Sequence, residues 1–350
     1  MRFARFLSGL LIALAISVRS SQSQEAKPTP AAKSGRPIQA LLVIGGCCHD
    51  YDRQKLILTR GISARANVRW TVVHQGGTTT DTKIPLYDDP NWADGFDIVV
   101  HNECFSGVTD KEFVDRILKP HREGLPAILI HCAMHCYRVG DDRWFEFCGI
   151  QSPGHGPHYS YTINNQKPDH PIMASFGERF VVPKGELYHA AKVFDTATPL
   201  AIANREDNSE PQVCVWTNDY QGTRVFATTV GHYNETMVEP TYLDMVTRGL
   251  LWAAGRDAEM DFTPITPTGD EEIRALVTIR IEKHSPVLTQ GCCGEGNLVF
   301  NKPANATSEE TGKSNFAKNA VDGRLDTRWC ASGGQSGESI TLDMEKPQSI

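Results

Sequence analysis

The sequence lacks several features that would assign it to a class at once. It contains no Cys-X-X-Cys pair and no His-Glu-X-X-His run, which argues against a zinc ribbon or a zincin-type metal helix. No apolar run reaches the ~20 residues of a membrane span. The 35 Lys and Arg against 42 Asp and Glu give a formal charge of -7, which argues against a nucleic-acid partner. What the 350 residues do hold is 12 His and 10 Cys within an ordinary globular composition.

The N-terminus has the pattern of an export signal followed by a linker. A basic start precedes the apolar run Phe6 to Val18 and then small and polar residues, so we predict a signal peptide at residues 1–23. Residues 24–37 are rich in Pro and Ala and are predicted to be a flexible leader. The expected location is secreted or periplasmic, with an uncleaved signal anchor as the alternative. No membrane span is expected in the mature chain.

Export would permit disulfide bonds, so the cysteines need an interpretation. The adjacent pairs Cys47–Cys48 and Cys292–Cys293 are predicted to form bridges to other cysteines rather than to each other. Spacing alone does not specify the partners.

Buried strands alternate with helical segments in the first half of the chain. The predicted strands are Ile38 to Ile44, Val68 to His74, Asp97 to His101 and Pro126 to His131. The predicted helices are Arg53 to Ala64, Thr109 to Glu123 with Thr109 as N-cap, and Asp141 to Cys148. This alternation predicts an α/β, flavodoxin-like doubly wound sheet.

The second half changes to short strands and then to a different texture. Strands are predicted at Tyr159–Ile163, Leu200–Ala203, Val213–Thr217 and Arg224–Val230, followed by a helix from Pro240 to Ala254 with Gly255 as its C′ residue. The α/β domain is therefore placed at residues 38–257 and a connector at 258–295, in which Glu271–Ile281 is either helix or strand. Residues 296–350 are polar and strand-like, which is typical of the beginning of an all-β domain.

Histidines gather where the predicted strands end. His49 follows the first strand, and His131 ends the fourth. The others of this group are His101, His135, His155, His158, His189 and His232. Because the carboxyl ends of parallel strands meet at one edge of the sheet, we predict a pocket there. The remaining four are predicted to have no role: His74, His121, His170 and His284.

Two kinds of chemistry suit these residues. Gly-His-Gly-Pro-His offers two imidazoles from one turn, so His155, His158 and His189 are the predicted ligands of a divalent metal such as Zn²⁺. A carboxylate beside imidazoles can move protons, and we expect Glu186, His131 and His232 to be catalytic. A third interpretation makes Cys132 a nucleophile with His232 as base and Glu235 as its orienter. It is disfavoured because the glycines that relieve crowding at such a turn are missing.

Five motifs, in order, resemble the trehalose-utilisation ThuA-like domain. They are Val43 to Gly46 with His49-Asp50, Ile130 to Ala133, Gly154-His155, Gly185 to Tyr188, and Gly231-His232. The resemblance covers about residues 38–256 and implies a class I glutamine amidotransferase-like fold. Gly185 replaces an Asp of the family and Cys132 replaces an Ala, so the amidotransferase nucleophile is not implied.

The resemblance also implies a function in carbohydrate metabolism. The expected substrate is an oxidised (3-keto) sugar or glycoside, turned over by a hydrolase, lyase or isomerase. The expected substrate contacts are His49, Asp50, Tyr188, Tyr233 and Glu235. The alternative is a non-catalytic glycan-binding protein whose aromatic side chains stack on sugar rings, drawn from Trp144, Tyr159, Tyr161, Tyr188 and Tyr233.

The tail resembles the start of a coagulation factor 5/8 type C (discoidin) domain, a β-jelly roll. The run Ala320–Gly323 and the triplet Thr327-Arg328-Trp329 carry this resemblance. Because the sequence stops at Ile350 in mid-domain, we expect residues 296–350 to be a truncated jelly roll within a fragment of a longer protein.

Overall fold

The computed structural model describes residues 35–262, 270–278, 287–289, 304–309, 311–320, 332 and 339–342. The predicted signal peptide and nearly all of the leader lie outside the described residues, as does most of segment 296–350. The described parts of that segment include one antiparallel strand pair, and the predicted jelly roll as a whole lies outside them.

The described part of the chain alternates strands and helices. The strands are β1 (Ile38–Gly46), β2 (Val68–His74), β3 (Ile98–Cys104), β4 (Ala127–Ile130), β5 (Ile150–Gln151), β6 (Gly154–Asn165), β7 (Arg179–His189), β8 (Lys192–Val193), β9 (Ala197–Asn204), β10 (Pro211–Tyr220), β11 (Thr223–Thr228), β12 (Val287–Thr289), β13 (Ala304–Ala306) and β14 (Ile340–Leu342). The α-helices are α1 (Tyr51–Ser63), α2 (Lys111–Arg122), α3 (Arg143–Cys148), α4 (Asn234–Met237), α5 (Pro240–Ala253) and α6 (Glu271–Ala275). Short 3₁₀ helices lie at Pro85–Asp88, His131–His135, Pro171–Met173, Asp257–Glu259, Thr311–Lys313 and Ala317–Ala320. In these ranges no helix has both the length and the apolar character that crossing a membrane requires.

One large mixed sheet organises the molecule. Its strand order is β12-β2-β1-β3-β4-β11-β10-β9-β6-β7. The block β2-β1-β3-β4-β11 is parallel, whereas β11 to β7 pair antiparallel. Strand β12 adds to the outer side of β2, so the predicted connector contributes a strand to this sheet.

Two apolar cores cover the two faces of the sheet, because side chains along a strand alternate between its faces. On β1, Leu42 and Ile44 face the core that also contains α1 and α5 side chains. Leu41 and Val43 face the core that contains α2 and α3 side chains. All four side chains are fully buried. Helices on both faces of a mixed sheet with a parallel central block confirm the predicted doubly wound α/β fold.

Several predicted boundaries were wrong, each for a local reason. Helix α2 is capped by Asp110, not Thr109, because the Asp110 carboxylate accepts a hydrogen bond from the backbone N–H of Phe113 at 3.0 Å. Strand β3 continues through Cys104, so His101 lies inside a strand and is fully buried. Strand β7 was not predicted, since Pro183 and Gly185 interrupt its pattern.

The prediction for the first adjacent cysteine pair was also wrong. Cys47 and Cys48 are bonded to each other, and Cys104 is bonded to Cys132. Cys48 has a φ of 82°, a left-handed backbone that turns the two neighbouring side chains together. Cys292 and Cys293 lie outside the described residues.

Candidate functional site

One carboxylate, that of Glu186, lies among imidazoles at the carboxyl edge of the parallel strands. Its Oε2 is 3.2 Å from His131 Nε2. Its Oε1 is 3.3 Å from His155 Nε2, 3.0 Å from His158 Nε2 and 3.1 Å from His232 Nδ1. His49 completes the group, with Nε2 3.1 Å from His232 Nδ1. These six residues are called the edge cluster: His49, His131, His155, His158, Glu186 and His232.

Three loops of the parallel block supply half of the edge cluster. His49 follows β1, His131 follows β4 and His232 follows β11. Gly46 makes the first turn possible, because it has a φ of +96° and a Cβ there would lie 2.4 Å from the carbonyl oxygen of Cys104. Strands β2 and β3 lie on opposite sides of β1 in the sheet. Doubly wound sheets open a binding crevice at such a point.

His131 occupies a strained turn at the end of β4. Its φ is +49°, a left-handed conformation that non-glycine residues seldom adopt. Residues held in such conformations concentrate at functional sites. This is the strand-to-helix turn at which Cys132 was weighed as a nucleophile. The structure instead joins the Cys132 sulfur to Cys104.

A hairpin from the antiparallel block supplies the other half. In the pairing of β6 with β7, His158 lies opposite Glu186 and His155 lies opposite Tyr188. Residues three apart on a regular strand face opposite sides. A register shift between His155 and His158 removes that regularity, so both imidazoles reach Glu186.

The edge cluster has a buried and an open side. His49, His131 and His232, here called the inner histidines, have ligand atoms that lie with a Glu186 oxygen within 4.8 Å of one another. The side chains of His155 and His158, here called the rim histidines, are 33% and 34% exposed. They form a second such group with Glu186. Glu186 thus belongs to both sides.

Hydrogen bonds to backbone carbonyls determine which ring nitrogen carries hydrogen. His131 Nδ1 lies 2.6 Å from the carbonyl oxygen of Thr229, and His155 Nδ1 lies 2.7 Å from that of Gly156. A carbonyl only accepts, so each Nδ1 donates. In a neutral ring, Nε2 then presents its lone pair to the Glu186 carboxylate.

Burial sets the charge of the inner residues. It lowers the pKa of His49 to about 2, with the neighbouring His131 and His232 acting in the same direction. It also lowers the pKa of His131. Burial raises the pKa of the Glu186 carboxyl, but hydrogen bonds from His131 and His232 and positive charge on these rings outweigh burial and hold that pKa well below its usual range. The ionised state of Glu186 thus depends on a proton or another cation shared with its imidazoles.

Of the predicted substrate contacts, Tyr233 touches a member of the edge cluster, whereas Asp50 has another role. The Tyr233 hydroxyl is 2.7 Å from His158 Nδ1, and the Lys184 ammonium lies 4.9 Å from the centre of the Tyr233 ring. Asp50 instead caps α1, accepting from the Arg53 backbone N–H and from Asn234 Nδ2 at 3.1 Å.

The structure does not bring the other predicted residues into the cluster. His189 lies three residues beyond Glu186 on β7, near Gly156, with Arg205 and Asp207 acting on its pKa. Tyr188 is buried and stacks on His135, with ring centres 4.0 Å apart. Glu235 is exposed on α4, and among the described ion pairs none joins it to His232.

Some functional groups escaped prediction. Thr229 orients His131 through its main-chain oxygen. No pattern of side chains in a sequence predicts a contact of this kind. The Tyr51 hydroxyl lies 3.1 Å from His49 Nδ1, and its position at the start of α1, two residues after His49, was the available signal.

A second group of histidines lies on the α2 and α3 face of the sheet. His101 Nδ1 is 2.9 Å from Glu103 Oε1, and His101 Nε2 is 3.2 Å from His121 Nε2. The hydroxyls of Tyr87 and Tyr137 donate to the same Glu103 oxygen at 3.2 Å and 3.4 Å. All five residues are at most 1% exposed. They are called the core cluster, and His121, predicted to be incidental, belongs to it.

A cavity of about 390 Å³ lies outside the edge cluster. Arg138, Asp141, Phe145 and Ser152 form part of its wall. The Ser152 hydroxyl is 3.2 Å from Nε2 of His135, whose ring stacks on Tyr188.

Comparison with solved structures agrees with this architecture. A ThuA-like protein from Parabacteroides merdae aligns with a TM-score of 0.53 at 18% identity, covering 63% of this chain and 90% of that one. A ThuA-like protein from Bacteroides uniformis gives 0.48 at 14% identity, with 64% and 94% covered. The first likeness shows the fold, a mixed α/β doubly wound sheet. No curated protein matches the chain.

Comparison with protein families identifies the domain. The family described as ThuA, trehalose utilisation, matches residues 53–253. The match spans more than half of the 350 residues and includes every member of the edge cluster except His49, which precedes it by four residues. The chain therefore belongs to the ThuA (trehalose utilisation) family.

Proposed function

We propose that the chain is an enzyme that acts on an oxidised (3-keto) sugar or glycoside at the edge cluster. The observation that carries the proposal is the approach of four imidazole nitrogens to within 3.0–3.3 Å of the one carboxylate of Glu186. The relation of the family to trehalose utilisation supports a sugar as substrate.

The chemistry follows from a ketone at C3 of a sugar ring. The ketone makes the hydrogen on C2 acidic, because the negative charge left behind spreads onto the carbonyl oxygen. When that C–H bond breaks, its electrons form a C1–C2 double bond and the C1–O bond to the leaving group breaks. The departing oxygen takes up a proton. Such a reaction needs one proton acceptor and one donor on the same side of a pocket.

The edge cluster offers both partners. The Glu186 carboxylate is held ionised and accepts the proton from C2. A rim imidazole in its protonated form, His155 or His158, donates the Nε2 proton to the departing oxygen, since both rings are partly exposed and both contact Glu186 Oε1. The Tyr233 hydroxyl holds His158 in place through Nδ1. His131, which is held by the hydrogen bond from its Nδ1 to the Thr229 carbonyl, contacts Glu186 through Nε2 and keeps the carboxylate oriented.

The cysteines suit an exported enzyme. The export proposed from residues 1–23 fits the two disulfides among the described cysteines, because such bonds persist in oxidising compartments.

The test is turnover of 3-keto-glucosides by the purified chain, followed by release of the aglycone. The unmodified chain should release it, whereas Glu186→Gln should lower kcat/KM on the order of 10²–10⁴-fold, as expected for loss of a proton-transfer group. His189→Gln is the matched control, since it lies on the same strand outside the cluster, and it should stay within about threefold.

Two results would oppose the proposal. Equal turnover by Glu186→Gln would place the chemistry elsewhere in the molecule. Calorimetric binding of the sugar without any product would favour the non-catalytic glycan-binding alternative, even though Trp144, Tyr161 and Tyr188 are too deeply buried to stack on a ligand.

A further inference from the structure

We infer that the inner histidines and Glu186 form the binding site of one divalent transition-metal ion, of which Zn²⁺ is the type. The ligands are His49 Nε2, His131 Nε2, His232 Nδ1 and one oxygen of Glu186. The inference deepens the proposed function and rests on it for the chemical role of the ion. The binding itself is argued from geometry.

The spacing of the ligand atoms matches such an ion. His49 Nε2 lies 3.1 Å from His232 Nδ1, which lies 3.1 Å from Glu186 Oε1. His131 Nε2 lies 3.2 Å from Glu186 Oε2. Four ligands at roughly 2.0–2.1 Å from a tetrahedral ion are separated from each other by about 3.3–3.4 Å. Small movements of the side chains therefore complete the coordination shell.

The hydrogen positions leave ligand atoms directed at this point. Because His131 Nδ1 donates to Thr229, a neutral His131 turns the lone pair of Nε2 toward Glu186. His131 Nε2 is buried and has no hydrogen-bond partner among the described residues. A lone pair and a carboxylate oxygen 3.2 Å apart can bind one cation between them.

The outer partners of these histidines are those that metal sites use. Ligating imidazoles usually donate their second nitrogen to a carbonyl or another oxygen, which fixes the ring. His131 does so to Thr229. His49 Nδ1 lies 3.2 Å from the carbonyl oxygen of Cys47 and 3.1 Å from the Tyr51 hydroxyl.

The donor set indicates the class of ion. The nearby sulfurs of Cys47, Cys48, Cys104 and Cys132 are in disulfides, so thiolates do not contribute. Three imidazoles and one carboxylate suit Zn²⁺ and its neighbours in the first transition row rather than Ca²⁺ or Mg²⁺. A bound ion that accepts the oxygen of a sugar carbonyl as a fifth ligand would polarise that carbonyl.

This assignment differs from the ligand set predicted from sequence. His155 and His158 stay at the rim, where they remain free to exchange protons while Glu186 holds the ion through one oxygen. His189 takes no part. The buried side of the cluster thus binds the ion and the open side meets the substrate.

The test is metal binding by the full chain, stripped with a chelator and titrated with Co²⁺ and Zn²⁺. Co²⁺ should bind one per chain and give the intense visible absorption of a four- or five-coordinate site, and Zn²⁺ should abolish that absorption. His131→Ala should raise the Kd on the order of 100-fold or more, beyond the 10–100-fold typical of outer partners. His49→Ala, at a less buried position, tests the same site if His131→Ala does not fold.

His189→Ala is the control and should bind Co²⁺ unchanged. Absence of stoichiometric binding by a folded chain would overturn the inference, as would equal affinity in His49→Ala and the unmodified chain. The metal result is independent of turnover. A folded chain that turns over 3-keto-glucosides but binds no Co²⁺ refutes only the inference, and a chain that binds Co²⁺ but releases no product refutes only the proposed function.

Discussion

The edge cluster and the core cluster contain the same residue types, yet they do different things. Both place a carboxylate among imidazoles and tyrosine hydroxyls. In the core cluster, Glu103 Oε1 accepts hydrogen bonds from Tyr87 and Tyr137 and lies 2.9 Å from His101 Nδ1, with every residue buried. Glu103 Oε2 is buried without a hydrogen-bond partner. In the edge cluster, the Nε2 atoms of neutral His131 and His155 face Glu186 without hydrogens, because each Nδ1 donates to a carbonyl. The first cluster is a closed network inside the core, and the second is open to solvent at its rim histidines.

The largest expected contrast concerns stability. Glu103→Ala removes the shared acceptor of several buried donors and should lower the free energy of unfolding by about 3–5 kcal/mol, the usual cost of breaking a buried polar pair. Glu186→Ala should change it by less than about 1 kcal/mol, because the lost contacts face lone pairs. Urea unfolding monitored by circular dichroism measures both. A larger loss for Glu186→Ala would make the edge cluster the structural one.

The acid dependence of stability should also separate the clusters. Burial, with His101 nearby, lowers the pKa of His121 to about 3, although its hydrogen bond to Leu125 opposes the shift. The unfolded chain binds this proton below about pH 6.5 and the folded chain does not, so stability falls as the pH drops from about 6.5 to 3. His121→Gln should flatten this decline by up to about 1.4 kcal/mol per pH unit.

The matched variant for this measurement is His189→Gln, whose ring is partly exposed. Its unfolding free energy should keep the acid dependence of the unmodified chain. If the unfolding free energy of His121→Gln falls with decreasing pH as steeply as that of the unmodified chain, another group controls the acid dependence.

Alanine substitutions at two glycines, Gly231 beside His131 and Gly124 with open space around it, should have smaller effects on stability. Gly231 has a φ of +149°, and a Cβ there would lie 3.1 Å from the Cβ of His131. Gly124 has a φ of +108° with nothing within 4 Å of a Cβ. Alanine at either position should cost about 1–2 kcal/mol of stability through backbone strain. Only Gly231→Ala should also weaken Co²⁺ binding and turnover, since it displaces His131.

The smallest expected effects come from single hydroxyl groups. Tyr87→Phe removes one buried donor from Glu103 and should cost about 1 kcal/mol of unfolding free energy. Tyr233→Phe removes a partly exposed hydroxyl from His158 and should stay within about 0.5 kcal/mol, while lowering kcat. Equal stability losses in the two variants would remove the distinction between the clusters.

Much of the fold could be predicted because its signals are local. Continuous apolar runs such as Ile38 to Ile44 identify strands buried on both faces. Glu186, His131 and His232 could be singled out as candidates because they follow strand ends or belong to short motifs.

What could not be predicted depends on distant parts of the chain. The spacing of His155 and His158 places them on opposite faces of a regular strand, and only the register shift against β7 brings both to Glu186. The same alternation directs His189 away from Glu186, although the two are close in sequence. His101 looked like a strand-end residue because the continuation of β3 to Cys104 is polar at Asn102 and Glu103.

Among the described strands, β7 is the last at one side of the large sheet, and its Glu186 is the point at which this side reaches the inner histidines. The consequence concerns exchange rates. An ion or sugar held at Glu186 would connect the β6–β7 hairpin to the loops of the inner histidines, which lie far away in sequence. It could leave only after the hairpin had separated from those loops. Backbone amides of β6 and β7 should therefore exchange with deuterium more slowly when the site is filled, while those of β2 should not change.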